Sequence, residues 1–313
     1  MMITPPISVD SLLLAMCMDI AFGEPPNRFH PVVWMGHLIA ALRRWAPQQG
    51  RVNAFLYGGA LMLLSGVLVM GLGVLLQQLT AMLPWLLRML LEAVVLKTCF
   101  SLRGLTIAAL EVQQALRQQN LPQARHLLSW HLVSRDTTDL NPSEISAATI
   151  ESVAENASDS LVAPLFYYAI GGLPCALLYR LINTADAMLG YRDPEREWLG
   201  KIPARLDDLA NLLPARLTAW LILIIAFFYR RGILEAWRVW WRDAKQTESP
   251  NAGHPMSAMA GALGVELVKL GHYRLGDGLQ PPVQADIVRS VAILYGIAVL
   301  TLILCSSYIV LSF

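Results

Sequence analysis

The 313-residue sequence contains little charge, and it lacks the short signatures that mark common nucleotide and metal sites. Charged residues make up 15 %, against about 25 % in soluble domains. The formal net charge is +1, so no overall basic surface points to nucleic acid. The four cysteines form no CxxC pair, which argues against a zinc site or a disulfide framework. The P-loop, GxGxxG, GxSxG and HExxH patterns are also missing, so any nucleotide would be bound without a P-loop.

Long apolar runs are what the sequence has instead. Hydrophobic residues make up 55 % and the mean hydropathy is +0.48, so much of the surface is expected to face lipid. Residues 54–79 and 290–313 carry no charge and are long enough to cross a membrane. Weaker candidates are residues 85–108, 161–182 and 217–229. The sequence therefore predicts an all-α, polytopic integral membrane protein with three to five spans plus re-entrant or interfacial helices.

Charges inside these runs need partners or a wet cavity. The 85–108 run holds Arg88, Glu92 and Lys97, and the spacing of Arg88 and Glu92 predicts an i, i+4 ion pair. Residues 11–22 form a short apolar run interrupted by Asp19, which we expect to be a membrane-associated or buried helix.

Basic residues indicate the sidedness of the chain. Arginines precede the first span and follow the third and fifth candidates, so these flanks are expected to be cytoplasmic. Residues 183–211 are also basic, and a re-entrant or shallow hairpin around Gly171–Pro174 would keep them on the same side. We expect one membrane-embedded domain over residues 1–313.

The first acidic segment begins at Asn141-Pro142-Ser143-Glu144, which predicts a capped helix start. The helix is expected to run to about residue 161. Glu151, Glu155 and Asp159 recur every four residues and would share one stripe of it. Such a stripe is either a solvated helix face or, beside an apolar run, a site for a bound cation or cationic substrate.

Two further polar segments follow, Asn183-Thr184-Ala185-Asp186 and residues 205–211, RLDDLAN. The first is typical of a polar helix end. In the second, adjacent Asp207 and Asp208 are either solvated charges or oxygen ligands for a hard cation such as Mg²⁺ with phosphate.

Two loops complete the set. Residues 19–35 contain Gly23 and three prolines, which predict a rigid connection that presents Arg28 and His30, either as a binding site or as a plain connector. In residues 249–255, Asn251 is suited to phosphate or amide groups, whereas His254 is expected at the surface.

Taken together, these motifs resemble the cobalamin-biosynthesis family CobD/CbiB, the membrane-bound adenosylcobinamide-phosphate synthases. The resemblance rests on FGEPPNRFHPVVWMG, ESVAENASDS, NTADAMLGY, RLDDLANLLPAR and SPNAGHP with AGALG, in this order along the chain. It implies an ATP- and Mg²⁺-dependent amide ligase that joins adenosylcobyric acid to aminopropanol or its O-phosphate. It also implies a multi-pass protein of the bacterial cytoplasmic (inner) membrane, in contact with lipid, whose cytoplasmic-side acidic site comprises residues 151–159, 183–186, 205–211 and 249–253.

On this resemblance we expect three kinds of site residue. Metal ligands would be Glu151, Glu155, Asp207 and Asp208. Phosphate and orienting contacts would come from Arg205, Arg216, Asn156, Asn183, Asn211 and Asn251. Groups that bind and deprotonate the amine would be Glu155, Asp159 and Asp186.

Two other classes remain open from the residues alone. One is a membrane carrier of a corrinoid or small solute, since charges within spans and broken helices also mark transport paths. The other is a non-catalytic membrane sensor on a related scaffold. Formation of a homo-oligomer, or contact with other corrinoid enzymes, is likewise open.

Overall fold

The computed structural model describes residues 7–47, 49–190, 197–228 and 232–312. Most of this part of the chain is helical. They are α1 Val9–Phe22, α2 Pro31–Arg43, α3 Arg51–Ala81, α4 Trp85–Lys97, α5 Leu102–Arg117, α6 Leu121–His131, α7 Pro142–Ala157, α8 Ala163–Leu189, α9 Lys201–Ala210, α10 Leu212–Ala226, α11 Gly232–Asp243, α12 Gly253–Leu263 and α13 Gln284–Ser312. Strands β1 Leu267–Lys269 and β2 Tyr273–Leu275 pair antiparallel, with Val268 opposite Arg274.

Four helical segments are long and apolar enough to cross a membrane. They are Arg51–Ala81, Trp85–Arg117, Pro142–Leu189 and Gln284–Ser312. The adjoining α9 and α10 pass the same test as a pair, which would make a fifth span. The predicted all-α fold with three to five spans is therefore confirmed. Helix α11 has the character of an interfacial helix, because it exposes Leu234 and Trp241 beside a polar face while it buries Val239.

The chain divides into two compact units. The first comprises Met1–Ser101, Ala163–Asn211 and Leu302–Phe313, and the second comprises Leu102–Val162 and Leu212–Thr301. In the first unit α8 packs on α2, α3 and α9, and α1 packs on α4. In the second unit α12 packs on α7, α10 and α11, and α7 also packs on α5, α6 and β1.

Charges on the membrane helix α4 are paired within the first unit. Glu92 is 1 % exposed and accepts hydrogen bonds from Arg88 Nε at 2.9 Å and from Ser11 Oγ at 3.0 Å. The predicted Arg88–Glu92 pair is thus confirmed. Helix α1 buries Leu12, Ala15 and Met16, which fits the expected buried helix at residues 11–22.

Helix α7 begins at Pro142 with Asn141 as its N-cap, as the sequence predicted. The Asn141 side chain accepts from the backbone N–H of Glu144 at 3.0 Å, and Glu144 Oε2 accepts from the Asn141 N–H at 2.7 Å, which is a complete capping box. The expected end near residue 161 is wrong. A π turn at Ser158–Val162 leads directly into α8, and its changed hydrogen-bond register lies next to Pro164, whose missing N–H cannot form a regular helix bond.

Helix α8 is broken where the glycines and proline predicted an interruption. Gly171 and Gly172 have non-helical backbone angles, and Gly172 has φ +67° and ψ −156°. A Cβ on Gly73 of α3 would lie 2.7 Å from Pro174 Cα, so Gly73 allows the break to lie against α3. The helix resumes after the break and continues to Leu189. The hairpin remains a prediction, as does the single membrane-embedded domain.

Candidate functional site

Two of the predicted polar segments meet in the first unit, where α8 packs on α9. Asp207 is at the centre: its Oδ1 accepts from Asn183 Nδ2 at 3.3 Å and its Oδ2 accepts from Asn211 Nδ2 at 3.0 Å. Arg180 Nη1 donates to Asn183 Oδ1 at 3.1 Å, and the Tyr179 hydroxyl donates to Asn211 Oδ1 at 2.8 Å. We call these five residues the Asp207 cluster. Both oxygens of its carboxylate are held by amides, which fixes their direction.

The neighbours of this cluster offer further charge. Arg205 Nη1 lies 3.3 Å from Asp208 Oδ2, and the Arg205 side chain is 75 % exposed, which leaves it accessible to an anion. The carboxylate of Asp186 on α8 lies against Gly190, so a Cβ at position 190 would collide with Asp186 Oδ1. The residues of 183–186 and 205–211 thus belong to one polar region of the first unit.

In the second unit, the predicted metal ligand Glu151 is buried among cationic and phenolic groups. Glu151 is 5 % exposed, and its Oε2 lies 3.7 Å from Arg135 Nη2. Burial and the charges of Glu151 and Glu155 raise the pKa of Tyr273, and Lys269 Nζ lies 5.8 Å from the centroid of the Tyr273 ring. We call Arg135, Glu151, Glu155, Lys269 and Tyr273 the Glu151 cluster.

One atom of this cluster is unusual. Glu151 Oε1 is buried and has no hydrogen-bond partner among the described residues. A buried carboxylate oxygen without a partner is costly, typically by about 1–3 kcal/mol or more. This oxygen can therefore accept a contact that the described residues do not supply, either from a cation or from a donor group of a ligand.

The expected stripe of Glu151, Glu155 and Asp159 is only partly formed. Glu151 is buried and Glu155 is exposed on α7, whereas Asp159 lies in the π turn, where the 3.6-residue period no longer holds. Asn156 forms hydrogen bonds within its own helical run, donating to the Ser152 carbonyl at 2.9 Å and accepting from Ser160 Oγ at 3.0 Å.

A third group, also in the second unit, joins α10 to the start of α12. Arg216 Nη1 donates to Asn251 Oδ1 at 3.2 Å, and Trp240 Nε1 donates to His254 Nδ1 at 3.0 Å. We call these four residues the Asn251 cluster. The expectation that His254 lies at the surface is wrong, because it is half-buried beneath Trp240. Burial and the charges of Arg216 and Lys245 lower the pKa of His254 to about 4, so its imidazole is neutral at pH 7.

The proline-rich loop is held by an ion-pair network in the first unit. Lys97 Nζ lies 2.9 Å from Glu24 Oε2 and 3.4 Å from Asp19 Oδ1, and His30 Nε2 lies 2.9 Å from Glu24 Oε2. Burial alone would raise the pKa of Glu24, but hydrogen bonds from His30, Ser101 and Lys97 and the Lys97 charge lower it to about 2. These contacts tie the loop to α1 and α4, and they provide the partner that Lys97 requires inside an apolar helix. The non-helical connection is shorter than expected, because α1 extends to Phe22 and α2 begins at Pro31, and the rigidity of the loop stays a prediction.

The predicted metal ligands belong to both units, Glu151 and Glu155 to the second and Asp207 and Asp208 to the first. In the described part of the chain, no group of three or more His, Cys, Asp and Glu side chains is placed to hold a metal ion. The donor chemistry nevertheless fits Mg²⁺ with phosphate, since hard carboxylate oxygens are present and Glu151 Oε1 lacks a partner.

Sequence reasoning missed several members of these clusters. They are Arg135, Tyr179, Arg180, Lys269 and Tyr273. Arg180 precedes Asn183 by three positions on one helix, so a face count could have found it. Lys269 and Tyr273 come from a hairpin far along the chain, and no local signal links them to Glu151.

The fold and these clusters define a helical integral membrane protein with carboxylate, amide and guanidinium groups gathered in each unit. The family model described as "CobD/Cbib protein" matches residues 12–294. The chain therefore belongs to the CobD/CbiB family of cobalamin biosynthesis.

Curated relatives agree with this assignment. The cobalamin biosynthesis protein CobD of Dehalococcoides mccartyi is 42 % identical over 269 residues, which cover 86 % of this chain and 87 % of the relative. Proteins of the same name from Klebsiella pneumoniae and Yersinia enterocolitica are 39 % and 40 % identical, each over 290 residues, which cover 90 % and 92 % of this chain and 89 % and 90 % of the relatives. No solved structure matches the chain.

Proposed function

We propose that this protein is an ATP-dependent acid–amine ligase, which joins the free propionate of adenosylcobyric acid to aminopropanol or its O-phosphate. Membership of a cobalamin biosynthesis family supports a corrinoid substrate. The observation that carries the proposal beyond the family is the buried, unpartnered Oε1 of Glu151, which lies beside the cationic groups of Arg135 and Lys269.

The chemistry needs an activated carboxylate, because an amine does not displace a carboxylate oxygen. In the proposed first step a propionate oxygen attacks the terminal phosphorus of ATP, and ADP leaves with the electron pair of the broken P–O bond. In the second step the amine nitrogen attacks the acyl carbon, the C–O bond to phosphate breaks, and inorganic phosphate leaves. The ammonium form of the amine gives one proton to a base on the protein before the attack, and the nitrogen loses a second proton to the released phosphate as the amide forms.

Residues of both units suit the phosphate part of this reaction. Asp207 and Asp208 in the first unit, and Glu151 and Glu155 in the second, each offer carboxylate oxygens that would hold Mg²⁺ directly or through water, and a bound ion would neutralise phosphate charge. Arg205 and Arg216 offer guanidinium groups for phosphate oxygens. Asn183 and Asn211 orient Asp207, and Asn251 orients Arg216, through the hydrogen bonds described above. Asn156 stays a proposed orienting group.

Three carboxylates are candidates for binding the ammonium group and accepting its proton. Glu155 is exposed on α7, and Asp159 and Asp186 are half-buried. A carboxylate at an exposed or half-buried position can bind the ammonium group of the amine by charge, and the carboxylate can then accept a proton from it. We place this chemistry on the cytoplasmic side of the bacterial inner membrane, on the basis of the arginine-rich helix flanks.

The carrier alternative is weakened by one feature of the fold. The charges in α4 that would mark a transport path, Glu92 and Lys97, are paired with Arg88, Asp19 and Glu24. They have the partners that charges in a stable membrane helix need, without a solute.

The proposal is tested with the purified full chain, adenosylcobyric acid, ATP and Mg²⁺, and with each amine in turn. Mass spectrometry follows the corrinoid and a nucleotide assay follows ATP. A ligase forms the amide with equal consumption of nucleotide. Corrinoid uptake into liposomes without a covalent product would instead identify a carrier, and binding alone would identify a sensor; either result contradicts the proposal.

A further inference from the structure

An open cavity of about 960 Å³ in the first unit is lined by basic groups that the proposed reaction does not use. Arg43 and Arg44 come from the end of α2, Arg51 is the first residue of α3, and Trp198 lies just before α9. The lining residues include none of the residues that we assign to the ligase chemistry.

Within the ranges that the structure describes, the arginines of this cavity have no ion-pair partner. Among the described residues, none of the three guanidinium groups has a carboxylate within 4.0 Å, although Glu197 also lines the cavity. The Arg51 guanidinium lies 5.7 Å from the centroid of the Trp198 ring, and Lys201 Nζ lies 4.1 Å from the same centroid. Cations crowded around one cavity repel one another, and a bound anion relieves that repulsion.

Phosphate is the anion that suits this arrangement. Guanidinium groups donate planar, paired hydrogen bonds that match phosphate oxygens, and charge-assisted bonds of this kind are stronger than neutral ones. The indole ring of Trp198 gives the cavity an apolar wall for an organic group attached to the phosphate.

The position of the cavity limits the ligand further. Arg51 is the first residue of the apolar helix α3, and the first two turns of this helix expose Val52 and Leu56, at 68 % and 61 %. Trp45 is also 81 % exposed beside the cavity. Arginine and tryptophan next to exposed aliphatic residues are typical of the level of lipid headgroups.

We infer that this cavity is a binding site for a phosphate ester, in which Arg43, Arg44 and Arg51 hold the phosphate and Trp198 packs against the organic part. The ester is either an anionic lipid headgroup or a soluble phosphorylated compound. The inference does not depend on the ligase proposal.

The test uses the full chain purified in a non-ionic detergent and native mass spectrometry. One arm offers phosphatidylglycerol and phosphatidylcholine in equal amounts, and the other offers O-phosphoethanolamine without lipid. The variants are R51Q, the triple variant R43Q/R44Q/R51Q, and the matched control R117Q, whose arginine is exposed at the end of α5.

We expect wild type and R117Q to retain phosphatidylglycerol in preference to phosphatidylcholine, or to bind O-phosphoethanolamine. The occupied fraction should fall at least about tenfold in the triple variant, since three charge-assisted bonds to the phosphate are lost together. Arginine-dependent retention of the lipid identifies a headgroup site, and arginine-dependent binding of the soluble ester identifies a site for a phosphorylated compound. Equal binding by the triple variant and R117Q in both arms would overturn the inference.

Discussion

At the residue scale, the two central carboxylates of the polar clusters differ in how their oxygens are bound. Asp207 has both oxygens held by the amides of Asn183 and Asn211, so its orientation is set before any ligand arrives. Glu151 has one oxygen beside Arg135 and one without a partner among the described residues. We therefore expect Glu151 to form a new contact when the substrates bind, and Asp207 to act with its present geometry.

The pH dependence of stability provides a test of His254 and its surroundings in the Asn251 cluster. Its pKa in the folded protein is about 4, below its ordinary value of 6.5, so the unfolded chain takes up a proton first as the pH falls. The stability that this group contributes is complete above pH 6.5 and is lost as the pH falls through about 4. Thermal unfolding in detergent should show wild type losing more stability than H254Q between these pH values.

The control for this experiment is H272Q, because the His272 side chain is exposed beside Glu248. Its unfolding midpoints should follow those of wild type across the same range. If H254Q and wild type lose stability in parallel, the neutral, buried imidazole of His254 is ruled out.

The sequence predicted some contacts of the cluster residues and missed others. Asp207 and Asn211 are i, i+4 neighbours, so their contact follows from helix geometry. The partners Tyr179 and Tyr273 reach their clusters only through tertiary packing. Tyr273 in particular belongs to the hairpin β1–β2, whose contact with α7 no periodicity in the sequence reveals.

At the element scale, local rules predicted helix starts better than helix ends. The start of α7 was predictable because Asn141 and Glu144 satisfy each other's backbone groups within four residues. Its continuation through the π turn at Ser158–Val162 was not, because that turn depends on the packing of the following apolar residues. A π turn inside a helix is often found at a functional site, and here it carries Asp159.

The break in α8 is expected to be sensitive to a single added methyl group. Gly172 has φ +67° and ψ −156°, a region almost restricted to glycine, and a Cβ there would lie 2.7 Å from Gln77 Nε2. G172A should therefore destabilise the protein by about 1–3 kcal/mol. The measurement is the thermal unfolding midpoint in detergent.

Gly71 on α3 is the matched control. It is also in a membrane helix, but a Cβ there would meet nothing within 4 Å, so G71A should be neutral or stabilising by up to about 1 kcal/mol. Equal midpoints for G172A and G71A would show that the backbone at position 172 does not need glycine.

At the scale of the whole molecule, hydropathy and charge patterning predicted the class of the protein. Uncharged runs longer than a bilayer requires predicted α3 and α13, and the carboxylates of α7 and α9 predicted a polar site among apolar helices. The division into two units was not predictable, because each unit is assembled from separate stretches of the chain. The proposed ligase chemistry uses carboxylates from each unit: Asp208 belongs to the first unit and Glu151 to the second.

The most direct test measures amide formation by E151Q and D208N, against E111Q, which alters an exposed carboxylate of the second unit. All three variants should be recovered from the membrane as folded protein, because each keeps the shape of the side chain. The account predicts that E151Q and D208N each lower the rate of amide formation by about 100-fold or more, since preorganised charge in an active site is worth that much. E111Q should keep the wild-type rate. A rate near that of wild type in E151Q or D208N would contradict this assignment, because the reaction would then proceed without that carboxylate.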